Sequence, residues 1–208
     1  MALESSFFRQ VMGRFATGVT IVTTYSHGSL VGLTVNSFCS VSLEPPLVLV
    51  CIDLNSSALP HFRQSGSFAV NILSAQQEQL SRCFATSSKE RYEHFCYASY
   101  YLTATGSPVI DGVLAFIDAR IVAEYPGGDH AIFVGQVEAM GIGNQVAFRD
   151  NTDEQRSTLT DHDGRAATND EAENLTYYRG QYRHLAPDYQ KPSLANYDEQ
   201  GYIIIGSY

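Results

Sequence analysis

Residues 32–53, GLTVNSFCSVSLEPPLVLVCID, constrain the fold of this chain more than any other stretch. Two runs rich in β-branched and apolar residues, about 30–38 and 47–52, flank a polar segment closed by Pro45-Pro46, which is the signature of paired strands. Side chains alternate along a strand, so Thr34 and Asn36 share one face while Val35 and Ser37 share the other. Hydroxyl and amide groups are thus interleaved with an otherwise apolar sheet, and Asn55-Ser56-Ser57 follows almost at once.

The rest of the chain favours strands over helices. Residues 19–24 are a β-branched run ending at the turn Ser26-His27-Gly28-Ser29, residues 68–72 read as another strand, and two longer strands, 114–124 and 131–140, are separated by residues 125–130. Phe8, Val11, Met12 and Phe15 follow the spacing of one helical face, with Ser5 or Ser6 as N-cap. Ser56 or Ser57 can cap a short helix through Leu59 and Phe62 that stops at Ser65-Gly66. Ser74 with Gln77 forms a capping box, and Leu80, Cys83 and Phe84 supply the buried face of the helix it starts.

Few strand–helix–strand units are long enough for parallel crossovers. The expected fold class is therefore mainly β with peripheral helices, an antiparallel barrel rather than a doubly wound sheet. No GxGxxG follows a strand and no GxxxxGK[ST] occurs, which argues against a Rossmann domain or a P-loop. The 208 residues are read as one domain. Residues 141–174 stand apart, with eight acidic residues against three arginines, and read as a solvated loop or partly disordered insertion, with a partner-binding or lid role as the alternative. Beyond residue 186 the chain continues to Tyr202-Ile203-Ile204-Ile205, an edge strand or a contact with a second subunit.

A net charge of −9 argues against nucleic acid as partner, because phosphate contacts need clustered Lys and Arg. No apolar run approaches the roughly 20 residues of a membrane span, and residues 1–14 lack the pattern of a signal peptide, so the expected location is the cytosol. The four cysteines, Cys39, Cys51, Cys83 and Cys96, form no CxxC pair. Free thiols are expected, with neither a zinc site nor a disulfide.

Four groups of residues can carry chemistry. Thr34, Asn36, Ser37 and Ser40 can hydrogen-bond a polar ring and its sugar chain, although the same pattern suits a sheet face turned to water. Asn55, Ser56 and Ser57 at a helix start can hold an anion or simply cap the helix, with Lys89 and Arg91 as candidate positive charge. Gly127-Gly128-Asp129-His130 lets backbone approach a ligand closely and sets His130 at a strand mouth, or is an ordinary turn. Tyr177-Tyr178-Arg179-Gly180-Gln181-Tyr182-Arg183 can stack on a flat ring and pair with phosphate, or cover apolar surface.

In this order, these pieces resemble the short-chain flavin reductase family, the reductase components of two-component flavin monooxygenases. The matching text is FATGVTIVTT from Phe15, residues 32–53, SGSFAVNIL from Ser65, GDH at residues 128–130 with FVGQVEAM, and YYRGQYRHL from Tyr177. The resemblance implies a split β-barrel homodimer binding FMN or FAD, with NADH or NADPH as hydride donor and a separate monooxygenase receiving the reduced flavin. By it, Thr34, Val35, Asn36, Ser37 and Ser40 line the ring and ribityl chain, while Asn55, Ser56, Ser57 and Phe62 form the phosphate side, near Ser87, Lys89 and Arg91. His130 lies against the nicotinamide, and Tyr178, Arg179 and Tyr182 close that site. The acidic stretch 141–174 and the long tail depart from the family pattern. A non-catalytic flavin carrier or sensor, and a split-barrel flavoenzyme acting directly on a small organic substrate, are the alternatives.

The lack of a catalytic triad, metal cluster or paired carboxylates in the sequence suits this chemistry, since hydride transfer between two rings needs stacking rather than a nucleophile.

Overall fold

The computed structural model describes residues 4–142, 145–149 and 172–183. Its centre is an antiparallel sheet. A hairpin joins β2 (Thr20–Ser26) to β3 (Ser29–Val35), and a second joins β4 (Cys39–Leu43) to β5 (Pro46–Asp53) through a turn containing a cis Glu44–Pro45 peptide. With β6 (Ser67–Ile72), β9 (Ala115–Gly127) and β10 (His130–Ile142), the sheet order is β3-β2-β6-β9-β10-β5-β4, and β11 (Gln145–Phe148) pairs with β10. A short pair, β7 (Tyr100–Leu102) with β8 (Pro108–Ile110), lies outside it.

The outer strands β3 and β4 are consecutive in the chain, yet no ladder joins them among the described residues. Packing brings the two ends together instead. Val22 and Leu33 from one end share a core with Val48, Val50 and Ile52 from the other, around Phe62, Phe68 and Phe133. Fully burying each of these phenylalanines stabilises the fold by about 1.5–3 kcal/mol. The Ser37 hydroxyl spans the seam, donating to the Cys51 carbonyl at 3.0 Å and accepting the Cys51 N–H at 3.1 Å. The sheet is therefore curled on one core with an open seam between its edge strands β3 and β4, the architecture of a split barrel.

The helices sit outside. In α2 (Leu59–Ser65), Leu59 and Phe62 face the core, and Gly66 ends the helix in the left-handed region at φ 66°. The Ser74–Gln77 capping box forms as expected, opening a 3-10 turn (Ala75–Gln77) that leads into α3 (Glu78–Ala85). Phe84 of α3 fills a second core with Ile21, Leu73, Phe95, Val109 and Phe116.

Several expectations are corrected. α1 (Ser5–Met12) forms, but Glu4 rather than a serine is its N-cap and none of its residues is buried: Phe7 and Phe8 are 60 % exposed and the following Phe15 70 %. A helical period shows an apolar face without showing that this subunit covers it. α2 starts at Leu59 with Ala58 as N-cap, because the Ser56 hydroxyl accepts the Ala58 N–H at 3.3 Å just ahead of the helix. β9 and β10 run up to a two-residue turn, so the expected loop at 125–130 shrinks to Gly128-Asp129.

The cysteine expectation fails for one pair. Cys83 on α3 and Cys96 in the 3-10 turn Phe95–Tyr97 form a disulfide across 13 residues of sequence. Their thiols meet only because the chain folds back after α4 (Lys89–Tyr92), which no local spacing announces. Cys39 and Cys51 are free, and Cys39 is exposed rather than buried in its strand. Partial burial, then the neighbouring Cys39, raise the Cys51 thiol, partly offset by the Ser37 hydrogen bond.

The long acidic stretch lies mostly outside the described residues, as does everything after Arg183, including the Tyr202–Ile205 expectation. Among the described residues, no helix is long and apolar enough to cross a membrane.

Candidate cofactor site

Several of the expected site residues lie on hydrogen bonds, joined by short stretches of backbone, along the seam of the sheet. At one end, His130 pairs with Asp53 in the β10–β5 ladder, and the Leu54 N–H donates to the Asp129 carbonyl at 3.0 Å. The Asp53 carboxylate accepts the Asn55 N–H at 2.7 Å, which shapes the loop through Ser56 and Ser57. Ser57 donates to the Tyr92 hydroxyl at 3.1 Å, and Tyr92 donates to Ser87 at 3.2 Å. These three hydroxyls form an exposed cluster, and the hydrogen bonds to Ser57 and then Ser87 hold the Tyr92 phenol below its ordinary range.

The series continues to the other edge strand. Ser88 caps α4 by accepting the Arg91 N–H at 3.3 Å, and Lys89, the first residue of that helix, is exposed. Arg91 is buried, with its guanidinium donating to the Gly32 carbonyl at 2.9 Å and the Thr86 carbonyl at 3.3 Å. Burial pushes its pKa down. Its role in the structure is that of a strut between α4 and β3. Beyond it, Thr34 donates to the Ser81 carbonyl on α3 at 2.7 Å, and the Ser81 hydroxyl meets the Tyr182 hydroxyl at 2.8 Å.

Tyr182 belongs to a hairpin of β12 (Thr176–Tyr178) and β13 (Gln181–Arg183), docked on β1 (Thr17–Gly18). Its ring lies under the Arg82 guanidinium, 4.7 Å from the centroid, and beside it opens a cleft of about 590 Å³ lined by Arg82, Thr86, Tyr177 and Gln181 among others. That volume is in the range of small-molecule sites. In the same hairpin the Arg179 guanidinium stands 5.9 Å from the Tyr178 ring centroid.

The remaining expected residues divide. Asn36 and Ser40 are exposed beside the seam and have side chains free to meet a ligand. Val35 is half-buried against the core, and Ser37 has its hydroxyl committed to β5. Phe62 is fully buried between Phe68 and Phe133, with ring centroids 6.5 and 6.3 Å away, so it positions α2 and has no surface to offer a ligand. Its aromatic character is what the sequence displays; that α2 turns it inward is a tertiary matter.

At the turn, His130 Nδ1 lies 2.7 Å from Asp129 Oδ1. An ionised carboxylate only accepts, so Nδ1 carries the proton and Nε2 is the nitrogen left to face a ligand. The same hydrogen bond holds the Asp129 carboxyl below its ordinary range.

Two residues escaped sequence reasoning. Ser81 joins Thr34 to Tyr182, and its signal was a small polar residue on the same helical face as Phe84. Tyr92 joins Ser57 to Ser87; it directly follows Arg91, but nothing local shows that its hydroxyl crosses to residue 57.

Along the seam, what the side chains offer is hydrogen-bond donors, aromatic faces and a turn histidine, rather than a nucleophile held by its base. Such a set suits binding a flat ring with a phosphate tail, which defines the class as a cofactor-binding split-barrel protein. The chain belongs to the flavin reductase family: the flavin reductase like domain matches residues 12–186. It is 31 % identical over 202 residues to the reductase subunit HsaB of a flavin-dependent monooxygenase from Mycobacterium tuberculosis, covering 97 % of this chain and 94 % of that protein. Among solved structures it is similar to the flavin reductase PheA2, at TM-score 0.70 and 34 % identity over 88 % of this chain and 99 % of that one. It is also similar to the NADH:FAD oxidoreductase SgcE6 of Streptomyces globisporus, at TM-score 0.71 and 30 % identity over 90 % and 98 %.

Proposed function

We propose that this protein is an NAD(P)H:flavin oxidoreductase that reduces FMN or FAD and supplies the reduced flavin to a flavin-dependent monooxygenase. The observation that carries the reading is that three sets of hydrogen bonds, Leu54 to Asp129 beside the Ser57–Tyr92–Ser87 cluster, Arg91 to Gly32, and Thr34–Ser81–Tyr182, tie the Asp129-His130 turn, the serine loop, β3 and the C-terminal hairpin to the same seam. The relatives supply the chemistry, since they include a monooxygenase reductase subunit and an NADH:FAD oxidoreductase.

Bound flavin supplies the hydride acceptor; the chain's own groups hold and orient. Asn36 and Ser40 face the ring and ribityl chain, with Thr34, Val35 and Ser37 shaping the wall behind them. Asn55, Ser56, Ser57, Ser87 and Lys89 receive the phosphate, helped by Tyr92, while Arg91 and Phe62 hold those segments in place. His130 Nε2 orients the nicotinamide, and Tyr178, Arg179 and Tyr182 close over it. Hydride transfer between two rings stacked roughly 3–3.5 Å apart needs no acid or base for the transfer itself, and a displacement of about 1 Å can cost about a hundredfold in rate.

The active form in this reading is a homodimer in the cytosol. The apolar side chains of α1 with Phe15, and Met140 and Ile142 on β10, are exposed and are the kind of surface a second subunit would cover.

Steady-state oxidation of NADH and NADPH with added FMN, FAD and riboflavin tests the reading. Turnover that rises with free flavin supports the reductase, none supports a carrier, and bound flavin reduced only by another substrate supports a direct-acting enzyme. His130→Ala is expected to slow reduction by the nicotinamide about tenfold to a hundredfold with flavin affinity near its original value. Lost flavin binding with normal reduction would refute the role of His130.

A further inference from the structure

Cys83 in the last turn of α3 and Cys96 in the turn Phe95–Tyr97 are joined, and the loop this closes carries one side of the candidate site. Within it lie Ser87 and Tyr92, which with Ser57 make the exposed hydroxyl cluster, the exposed Lys89, and Arg91, whose guanidinium holds the Gly32 carbonyl. α3 itself bears Ser81, the link between Thr34 and Tyr182. The bridge is thus a clasp around the segments assigned to the flavin phosphate.

The turn that receives the clasp is one the chain would not adopt unaided. Phe95, Cys96 and Tyr97 stand at φ 48°, 52° and 55°, three successive side chains in the left-handed region, where a Cβ crowds the following carbonyl. Phe95 is buried and set edge-on to Phe84 at 5.0 Å and to Tyr100 at 5.5 Å, while Tyr97 is exposed and stacked on His94 at 5.1 Å. α4, between the two cysteines, has four residues, and a helix that short does not hold itself in water. Its order depends on what ties its ends down, and the bridge is the covalent part of that.

The bridge is also open to exchange. Neither cysteine is fully buried, and their neighbours Arg82 and Tyr97 are exposed, so an incoming thiolate has a way in. In the cytosol, where the proposed function places the protein, thiol pools keep most cysteines reduced, and the disulfides that do form there are mostly transient, catalytic or redox-sensing.

We propose that Cys83 and Cys96 form a thiol–disulfide switch that sets how tightly the protein holds the flavin phosphate. The proposal rests on the reading of the seam as a flavin site. One thiolate of a dithiol reductant attacks a bridge sulfur, giving a mixed disulfide and releasing the other cysteine; the reductant's second thiol then displaces the first. The S–S bond of the protein is replaced by one in the reductant, and the pair of cysteines gains two electrons and two protons. With the clasp open the left-handed turn relaxes, α4 loosens with it, and Ser87 and Tyr92 leave Ser57. The bridged protein retains flavin, and the reduced one exchanges it.

The test is fluorescence titration of FMN and riboflavin with the bridged protein, the protein reduced with dithiothreitol and freed of it, the reduced protein reoxidised with diamide, and C83S/C96S. Thiol titration fixes the state: two thiols in the bridged form, from Cys39 and Cys51, and four in the reduced form. Losing the phosphate's charge-assisted hydrogen bonds is expected to weaken FMN at least about tenfold in the reduced protein and in C83S/C96S. Reoxidation restores it, and riboflavin, which has no phosphate, is unchanged. Amide hydrogen exchange is expected to quicken between residues 84 and 97 while the central sheet stays protected.

Equal FMN affinity in bridged and reduced protein overturns the proposal, as does a loss equally large for riboflavin. Exchange that quickens throughout the sheet also overturns it, since the bridge is then a staple of the whole fold. The reductase reading fails separately. Protein that oxidises NAD(P)H with free flavin, at one FMN affinity in both states, keeps the reductase and loses the switch. Redox-dependent FMN affinity without turnover keeps the switch and loses the reductase, and no flavin binding in either state sinks both.

Discussion

Gly32→Ala probes the joint on which the seam depends. Gly32 lies on β3 opposite Thr23, and its carbonyl accepts the buried Arg91 guanidinium. A Cβ added there would stand 2.6 and 2.9 Å from the Cε1 and Cδ1 carbons of Phe84 and 3.3 Å from Thr23 Cγ2. Phe84 cannot swing away, because it is fully buried and set edge-on to Phe95 with centroids 5.0 Å apart. Relief must come from moving α3 off β3. Overpacking of this kind costs about 1–3 kcal/mol, offset by about 0.4–1 kcal/mol from the stiffer unfolded chain.

The net loss is about 1–2 kcal/mol, or roughly 2–8 °C in the unfolding midpoint for a chain of this size. Shifting α3 also stretches the Thr34–Ser81 hydrogen bond, so flavin affinity is expected to fall with stability. Thermal unfolding followed by circular dichroism measures the first effect and flavin fluorescence titration the second. Because the clash has one named partner, Phe84→Leu in the same chain should recover part of the loss, with a coupling of about 1 kcal/mol in a double-mutant cycle. An unchanged midpoint for Gly32→Ala, or strict additivity with Phe84→Leu, would refute the reasoning.

Asp118 gives a pH dependence with a definite sign. It is buried, and its carboxyl is raised above the ordinary value of 3.8, chiefly by burial, although the Thr105 N–H at 3.0 Å and the Thr105 hydroxyl both donate to it. The folded state therefore holds this proton more tightly than the unfolded chain, so the contribution is fully present below pH 3.8 and lost as pH rises through the folded value. Relative to Asp118→Asn, the wild-type midpoint should decline across that window and run parallel above it; a flat or rising difference contradicts the assignment. For the Cys83–Cys96 bridge, a link across 13 residues is worth about 3 kcal/mol by the chain-entropy account. Reductant should lower the midpoint accordingly, and four titratable thiols in the untreated protein would show that the bridge is absent.

Where the chemistry of folding is local, the sequence was legible. The Ser74–Gln77 box, the Gly66 stop and the hairpin at His27-Gly28 depend on residues a few positions apart, and all three form. Contacts decided across the chain were not visible in this way. α1 shows its apolar stripe plainly, yet that stripe faces outward here. Cys83 and Cys96 meet through a reversal after α4, and Phe62 reads as a ligand contact until α2 is seen to turn it into the core. Arg91 was expected to supply charge for a phosphate, but its guanidinium is spent on the carbonyls of Gly32 and Thr86.

The order of motifs from residue 32 to residue 182 was enough to determine the fold class and the family, because alternation, caps and turns are written in neighbouring residues. Tertiary structure alone decided how those segments meet: Ser57 with Ser87 through Tyr92, Thr34 with Tyr182 through Ser81, and Cys83 with Cys96. The physical reason is distance along the chain. A hydrogen bond between residues 35 or 101 positions apart leaves no periodic trace in sequence, and it forms only once the curled sheet has brought its two edges to the same core.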